Sequence, residues 1–195
     1  MSSVLRVLDF DSECRPISYL GSDYTTADVT AIAWSWIDGT ENMVVYAQGR
    51  VNRERMLEAF VDAYDEADLV TGHYITGHDL PVLNGALLEA GMASLGDKMV
   101  SDTKMHLLKR KYVSASQESL AQMLGIEAPK IHMTQSDWRS ANRLEDAGIQ
   151  LAVDRCTGDV RQHVEMYHRL VDRGWLGPAK RWSAASKGGS GGYHP

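Results

Sequence analysis

The chain has 195 residues, of which 44% are hydrophobic and 24% are charged, a composition typical of one globular domain with a sizeable core. Its formal net charge of −6 argues against a protein that binds long duplex nucleic acid by neutralising phosphates, since such proteins are usually basic, although bound divalent cations can reverse the local potential. No apolar run approaches the roughly 20 residues of a membrane span. Two cysteines build no disulfide framework and the first residues lack a signal-peptide pattern, so we expect a cytoplasmic, intracellular protein with no membrane partner.

Strand patterns dominate the first fifty residues. β-branched and aromatic residues mark strands at 4–10, 29–36 and 43–46, and the turn signal Asp38-Gly39 joins the last two, which predicts a meander. Apolar residues then recur at helical spacing over 52–67, and a short apolar strand follows at 68–73.

Helical patterns dominate the second half of the chain. They cover 80–92, 101–112, a segment from Ser116 that stops at Gly125, and about 145–173. The segment 101–112 begins with two helix-cap candidates, Ser101 and Asp102. This layout predicts a single α/β domain over residues 1–176, with a mixed β-sheet flanked by helices. The Gly/Ser-rich residues 177–195 are predicted to form a flexible C-terminal tail.

Acidic residues follow the first strand at two-residue intervals. Asp9, Asp11 and Glu13 would share one face of that strand, where like charges repel and burial raises the cost. A bound cation is the simplest remedy, and oxygen ligands suit Mg²⁺ or Mn²⁺. The alternative is a strand that ends in solvated acids.

Two further acids stand at structurally marked positions. Asp79 follows a strand and a glycine-containing turn and precedes a helix, where it would also serve as an ordinary N-cap. Asp159 lies within the long helix beside an apolar stripe, so that it can reach the edge of a cleft, although a solvated position is common for such an acid.

Three segments together resemble the motifs of a known family. The segments FDSE, GHYITGHDLPVL and RCTGDV are similar to the three motifs of the DEDD (DnaQ-like) 3′–5′ exonucleases, which have a ribonuclease H-like fold. Their order and separation fit over residues 4–173. The intervening segments SDTKMHLLKR and SLAQMLGIEAPK resemble phage and polymerase-associated members, and a phage-encoded protein would act in the host cytoplasm.

The resemblance implies a site and a reaction. Asp11, Glu13, Asp79 and Asp159 would be catalytic and would bind two divalent cations, Mg²⁺ or Mn²⁺. Asp9 would lie behind these ligands, or Asp9 and Asp11 would form the first motif in an alternative register. The implied activity is hydrolysis at single-stranded DNA or RNA 3′ ends, with DNA favoured, releasing nucleoside 5′-monophosphates. A replicative polymerase is a candidate partner.

The chain departs from the family pattern around the third motif. Arg155 stands where a tyrosine base is expected and Asp154 where a histidine base is expected, which leaves His163 as a candidate base. Tyr74 and His78 replace the usual residues of the second motif and are candidate substrate contacts. The departures keep open a nucleic-acid-binding relative without turnover; a small-molecule metallohydrolase such as a nucleotide phosphatase is a third class.

Aromatic and basic side chains are candidates for binding a single strand. The aromatic candidates for base stacking, all predicted to lie in loops, are Tyr19, Tyr24, Tyr74 and Trp138, and ordinary packing is the alternative for each. Lys104, Lys109, Arg110 and Lys111 form the densest basic cluster, which would follow phosphates or simply form a solvated helix face.

Overall fold

The structure, a computed structural model, describes residues 5–15, 28–108, 110–127 and 130–185. In these residues the strands are β1 (Val7–Arg15), β2 (Asp28–Trp36), β3 (Gly39–Ala47), β4 (Leu69–Gly72), β5 (Lys98–Asp102) and β6 (Lys180–Trp182). The helices are α1 (Arg53–Glu66), α2 (Asp79–Glu89), α3 (Thr103–Leu107), α4 (Gln117–Leu124), α5 (Gln135–Asn142) and α6 (Asp146–Asp172). The stacking candidates Tyr19 and Tyr24, and Lys109 of the basic cluster, lie outside the described residues.

The strands form one mixed sheet in the order β3-β2-β1-β4-β5-β6. Strands β1, β4 and β5 are parallel, whereas β2, β3 and β6 each run antiparallel to their neighbours. The predicted meander of the first three strands and the predicted mixed sheet with flanking helices are therefore confirmed. No helix in the described ranges is long and apolar enough to cross a membrane.

The two faces of β1 carry different chemistry. Leu8 and Phe10 point into the larger core, which α1 and α2 cover. The acids alternate with them and point to the other face, where α6 packs on the sheet. That face is built from the short side chains of Ala31, Ala33 and Ala47, which allow α6 to approach the sheet closely.

Three elements differ from the sequence-based prediction. Lys98–Asp102 form β5 where the start of a helix was expected, and α5 surrounds Trp138, which was assigned to a loop. Lys180–Trp182 form β6, so the sheet extends past the boundary predicted at residue 176. The two strands are short and depend on partners distant in sequence, such as the pairing of Val100 with Lys180. The helix α5 instead begins at a local capping box, formed by Thr134 and Asp137.

Candidate metal and nucleic-acid site

The strand β1 and the helix α6 pass each other so that their side chains meet in pairs. Two residues of a strand advance about 6.6 Å and four residues of a helix about 6.0 Å, so alternate strand positions match successive helical turns. Three facing pairs result, in opposite chain order: Asp9 with His163, Asp11 with Asp159, and Glu13 with Arg155. Each outer pair joins an acidic side chain to a basic one, histidine or arginine, whereas the middle pair joins two acids.

The outer pair of Asp9 and His163 is fully enclosed. His163 Nδ1 hydrogen-bonds Asp9 Oδ2, and His163 Nε2 lies 2.8 Å from Thr103 Oγ1. Burial raises the pKa of Asp9, and His163 offsets part of that rise. Both nitrogens of His163 are engaged and the side chain does not line the cleft, so it is not placed to act as the base suggested by the sequence. Because His163 holds Asp9 behind the cleft, the alternative register of the first motif does not match this arrangement.

Thr103 links His163 to a second histidine, His73. His73 Nε2 lies 2.8 Å from the Ala115 carbonyl, which can only accept, so Nε2 carries the proton. Burial, reinforced by His163, lowers the pKa of His73 to about 4, so its Nδ1 is unprotonated and accepts from Thr103 Oγ1 at 2.9 Å. Thr103 Oγ1 also lies 3.2 Å from the Gly72 carbonyl, so it links β4, His73 and His163 in one buried hydrogen-bond network.

The other outer pair ties Glu13 to a fixed guanidinium. Arg155 Nε donates to Glu13 Oε1 at 2.6 Å and Nη1 donates to the Ile131 carbonyl at 3.3 Å, while the guanidinium lies 5.9 Å from the Trp138 ring centroid. Burial raises the pKa of Glu13 to about 7, although Arg155 opposes the rise. The positive charge of Arg155 thus lies directly against an acid of the cleft.

The middle pair brings like charges together. Ligand atoms of Asp11, Glu13 and Asp159 lie within 4.8 Å of one another. Burial, and then the charges of Asp79, Glu13 and Asp159, raise the pKa of Asp11 well above its usual range. Lys130 Nζ lies 3.4 Å from Asp159 Oδ2 and provides partial compensation. Three carboxylates with this mutual repulsion fit a hard divalent cation, which binds oxygen ligands and removes the repulsion.

Asp79 reaches the same cleft from the other side of β1. Strand β4 ends at Gly72 while β1 continues to Arg15, so the backbone of Ser12 has an open edge. Asp79 Oδ1 accepts from Ser12 N at 3.1 Å and from Ser12 Oγ at 2.6 Å. Burial raises the pKa of Asp79, and the Ser12 hydrogen bonds offset part of this. Asp79 therefore lines the cleft but stands outside the 4.8 Å cluster.

The loop that delivers Asp79 is held by Asp102, an acid that the sequence pattern predicts only as a helix cap. The carboxylate of Asp102 accepts from Tyr74 N and Thr76 N, both at 3.0 Å, and from Thr76 Oγ1 at 2.6 Å. It also caps α3 through Met105 N at 3.1 Å. The cap was recognisable from the Ser-Asp pair, but the loop contacts cross 26 to 28 residues and leave no local pattern.

The acids line a cleft of about 420 Å³. Lys104, Tyr74 and Trp138 also line the cleft, and Lys104 Nζ lies 3.8 Å from the centroid of the Tyr74 ring. His78 lines the cleft with its Nε2 3.2 Å from the Cys14 sulfur. Of the basic cluster, Lys104 lines the cleft, whereas Arg110 packs over Trp175. The cleft thus combines an acidic floor with aromatic and cationic side chains.

The raised carboxyl pKa values predict an unusual pH dependence of stability. In chelator, the folded protein keeps protons that the unfolded chain has released, so the free energy of unfolding should fall as the pH rises from 4.5 towards 7, the interval between the usual and the raised pKa of Glu13. Mn²⁺ should restore stability above pH 7, where the acids bind it as carboxylates. Urea denaturation across this range measures the effect. In Glu13→Gln, the free energy of unfolding should depend less on pH. A free energy of unfolding that rises with pH in the wild-type protein would contradict this prediction.

Comparison with known proteins gives a likeness of fold. No protein-family model and no curated protein matches the sequence. Among solved structures, the family B DNA polymerase from the hyperthermophilic archaeon Pyrobaculum calidifontis matches with a TM-score of 0.65 and 21% sequence identity. The match covers 86% of this chain and 25% of that chain, so the chain spans about a quarter of the polymerase's length.

This likeness, together with the sheet order, shows the class of fold. The domain is a mixed six-stranded sheet flanked by helices and has a ribonuclease H-like fold. The acidic cluster of Asp11, Glu13 and Asp159 is suited to a metal ion.

Proposed function

We propose that the protein is a divalent-cation-dependent 3′–5′ exonuclease that hydrolyses phosphodiester bonds at single-stranded 3′ ends and releases nucleoside 5′-monophosphates. The observation that carries the proposal is the middle facing pair: Asp11 and Asp159 meet each other in a cleft, and together with Glu13 they bring carboxylate oxygens within 4.8 Å of one another. The resemblance of the three sequence motifs and the ribonuclease H-like fold both support it.

The residues of the chain have distinct roles in this proposal. Asp11, Glu13 and Asp159 would hold a divalent cation, and Mg²⁺ or Mn²⁺ suits their oxygen ligands. Such an ion, when bound, supplies charge stabilisation at the phosphate and a more acidic water. Asp79 orients the end of β1 through Ser12, and the resemblance assigns a second ion to its side of Asp11.

The cleft walls favour a single strand as substrate. Aromatic rings stack on any base, and Tyr74 and Trp138 stand on the cleft walls while Lys104 offers a positive charge for a phosphate. The overall negative charge disfavours extended contact with a duplex. We favour DNA, and a role beside a replicative DNA polymerase, because the structural neighbour is a DNA polymerase.

An end-labelled oligonucleotide assay tests the proposal. With Mn²⁺ or Mg²⁺, a 5′-labelled single-stranded DNA should shorten stepwise from its 3′ end, and chelator should stop the reaction. A 3′-mismatched duplex should be shortened faster than a matched one if the protein serves a polymerase. Release of phosphate from free nucleotides, with no shortening of oligonucleotides, would instead indicate a nucleotide phosphatase.

One observation favours a second candidate function, a nucleic-acid-binding relative with little or no turnover. Of the two histidines that line the cleft, His73 has both nitrogens engaged, and His78 Nε2 lies 3.2 Å from the Cys14 sulfur. Arg155 replaces the usual tyrosine. Retention of labelled single-stranded DNA in the presence of Mn²⁺, without any shortening over a long incubation, would favour this candidate.

Tyr74 provides a test of the substrate grip that is separate from the acids. Its backbone has a positive φ of 74°, a conformation that glycine adopts without strain. Tyr74→Gly should weaken binding of single-stranded DNA by about 1–3 kcal/mol, the usual contribution of a stacked base, without lowering the stability of the fold. Fluorescence anisotropy and thermal denaturation measure the two effects.

Tyr112 offers a matched control for this substitution. It has a φ of 64° and is 100% exposed, away from the cleft. Tyr112→Gly should relieve the same kind of backbone strain and leave binding unchanged. Equal loss of binding in both variants, or none in Tyr74→Gly, would remove Tyr74 from the proposed substrate contacts.

A further inference from the structure

The charges in the cleft are already half compensated by the protein itself. Four acids line it: Asp11, Glu13, Asp79 and Asp159. Two cations lie against these acids, since Arg155 Nε is 2.6 Å from Glu13 Oε1 and Lys130 Nζ is 3.4 Å from Asp159 Oδ2. A third cation, Lys104, also lines the cleft, but its Nζ packs over the Tyr74 ring, 3.8 Å from the centroid. With all four acids ionised, as metal ligands are, these acids and the two cations that contact them leave two negative charges, which one divalent cation neutralises. Two such ions would leave this group of side chains with a net positive charge.

We infer that the substrate-free protein binds one divalent cation, and that Arg155, with Lys130, takes the charge role of a second ion. This inference rests on the proposed metal-dependent function, and it departs from the two ions that the sequence motifs imply. The ion lies among Asp11, Glu13 and Asp159, the cluster whose ligand atoms fall within 4.8 Å.

Arg155 is built into the site rather than resting on its surface. Its side chain is 22% exposed, and its guanidinium is held by Glu13, by the Ile131 carbonyl at 3.3 Å and by the face of Trp138. A cation held in this way remains beside Glu13 when a metal ion binds there. Its charge adds to that of the ion among Asp11, Glu13 and Asp159, and both repel a second ion at Asp11.

The other side of Asp11 is also restricted. A second ion there would depend on Asp79, whose Oδ1 already accepts two hydrogen bonds from Ser12. Only the second oxygen of Asp79 is left for such an ion, and Asp11 would have to serve both ions. The geometry is thus adequate for one well-coordinated ion and poor for two in the absence of a substrate phosphate.

Calorimetric titration of the full chain with Mn²⁺, without substrate, measures the number of ions directly. We expect one ion per wild-type chain. Arg155→Met should bind a second ion, or bind the first at least about tenfold more tightly, because a fixed positive charge has been removed from the site. Arg155→Lys, which keeps the charge, should still bind one ion.

Arg161 provides the matched control. It is exposed on the same helix and does not line the cleft, so Arg161→Met makes the same change of net charge at a distance. It should leave both stoichiometry and affinity unchanged. If Arg155→Met fails to fold, judged by circular dichroism, Lys130→Met serves in the same titration and should also strengthen ion binding.

The outcomes separate this inference from the proposed function. Two ions of similar affinity in the wild type, or no change in stoichiometry and affinity in Arg155→Met, would overturn the inference while leaving a metal-dependent nuclease in place. No Mn²⁺ binding by the wild type at all would overturn both.

Discussion

Asp11→Asn should abolish metal-dependent shortening of single-stranded DNA, with a loss of about 10³-fold or more in rate. The ion's contribution to stabilising the transition state is several kcal/mol, and Asp11 is the acid that faces both Asp159 and Asp79 in the cleft. The same substitution should stabilise the protein in chelator, because it removes one of the repelling charges. The end-labelled assay and thermal denaturation measure the two effects on one sample.

Asp154 supplies the control for Asp11. It lies on α6 near the site but is exposed and accepts a hydrogen bond from Gln150, so Asp154→Asn changes the net charge equally without touching the cluster. It should retain activity, whereas Asp79→Asn, which weakens the support of Ser12, should lose it. Full activity in Asp11→Asn or in Asp79→Asn would contradict the proposed site.

His163→Leu should destabilise the fold by about 3–5 kcal/mol, the usual cost of removing one partner of a buried charged pair. Asp9 is fully buried and its Oδ1 has no hydrogen-bond partner among the described residues, so the substitution removes the side-chain partner of its other oxygen, Oδ2. It also removes one of the partners of Thr103 Oγ1. Urea denaturation measures the change in the free energy of unfolding, with wild type and variant fitted to the same dependence on urea concentration (the m-value).

A double variant separates the charge from the packing. Asp9→Val combined with His163→Leu replaces both members by apolar side chains, which is often neutral when the volumes are similar. We expect the double variant to be more stable than His163→Leu alone. If it is less stable than the single variant, the loss comes from packing of α6 and not from an unpaired acid.

Long, regular elements were predictable because their patterns are local. The apolar residues of α6 recur at helical spacing, and Gly125 ends α4 in the left-handed conformation that glycine favours. The acids of β1 were placed on one face by strand alternation alone. In contrast, β5 and β6 are stabilised by pairing with each other across about 80 residues, so their short sequences contain no signal of comparable strength.

The sequence alone determined which acids are available: the alternation of β1 puts Asp9, Asp11 and Glu13 on one face, and helical spacing puts Asp159 beside an apolar stripe. The tertiary structure alone decided what each acid meets. That depends on the rotation and register of α6 on the sheet, which are set by packing against Ala31, Ala33 and Ala47. This packing gives His163 to Asp9 and Arg155 to Glu13, and leaves Asp11 facing Asp159. A shift of α6 by one turn would pair the same residues differently, and no local pattern in either segment specifies that register.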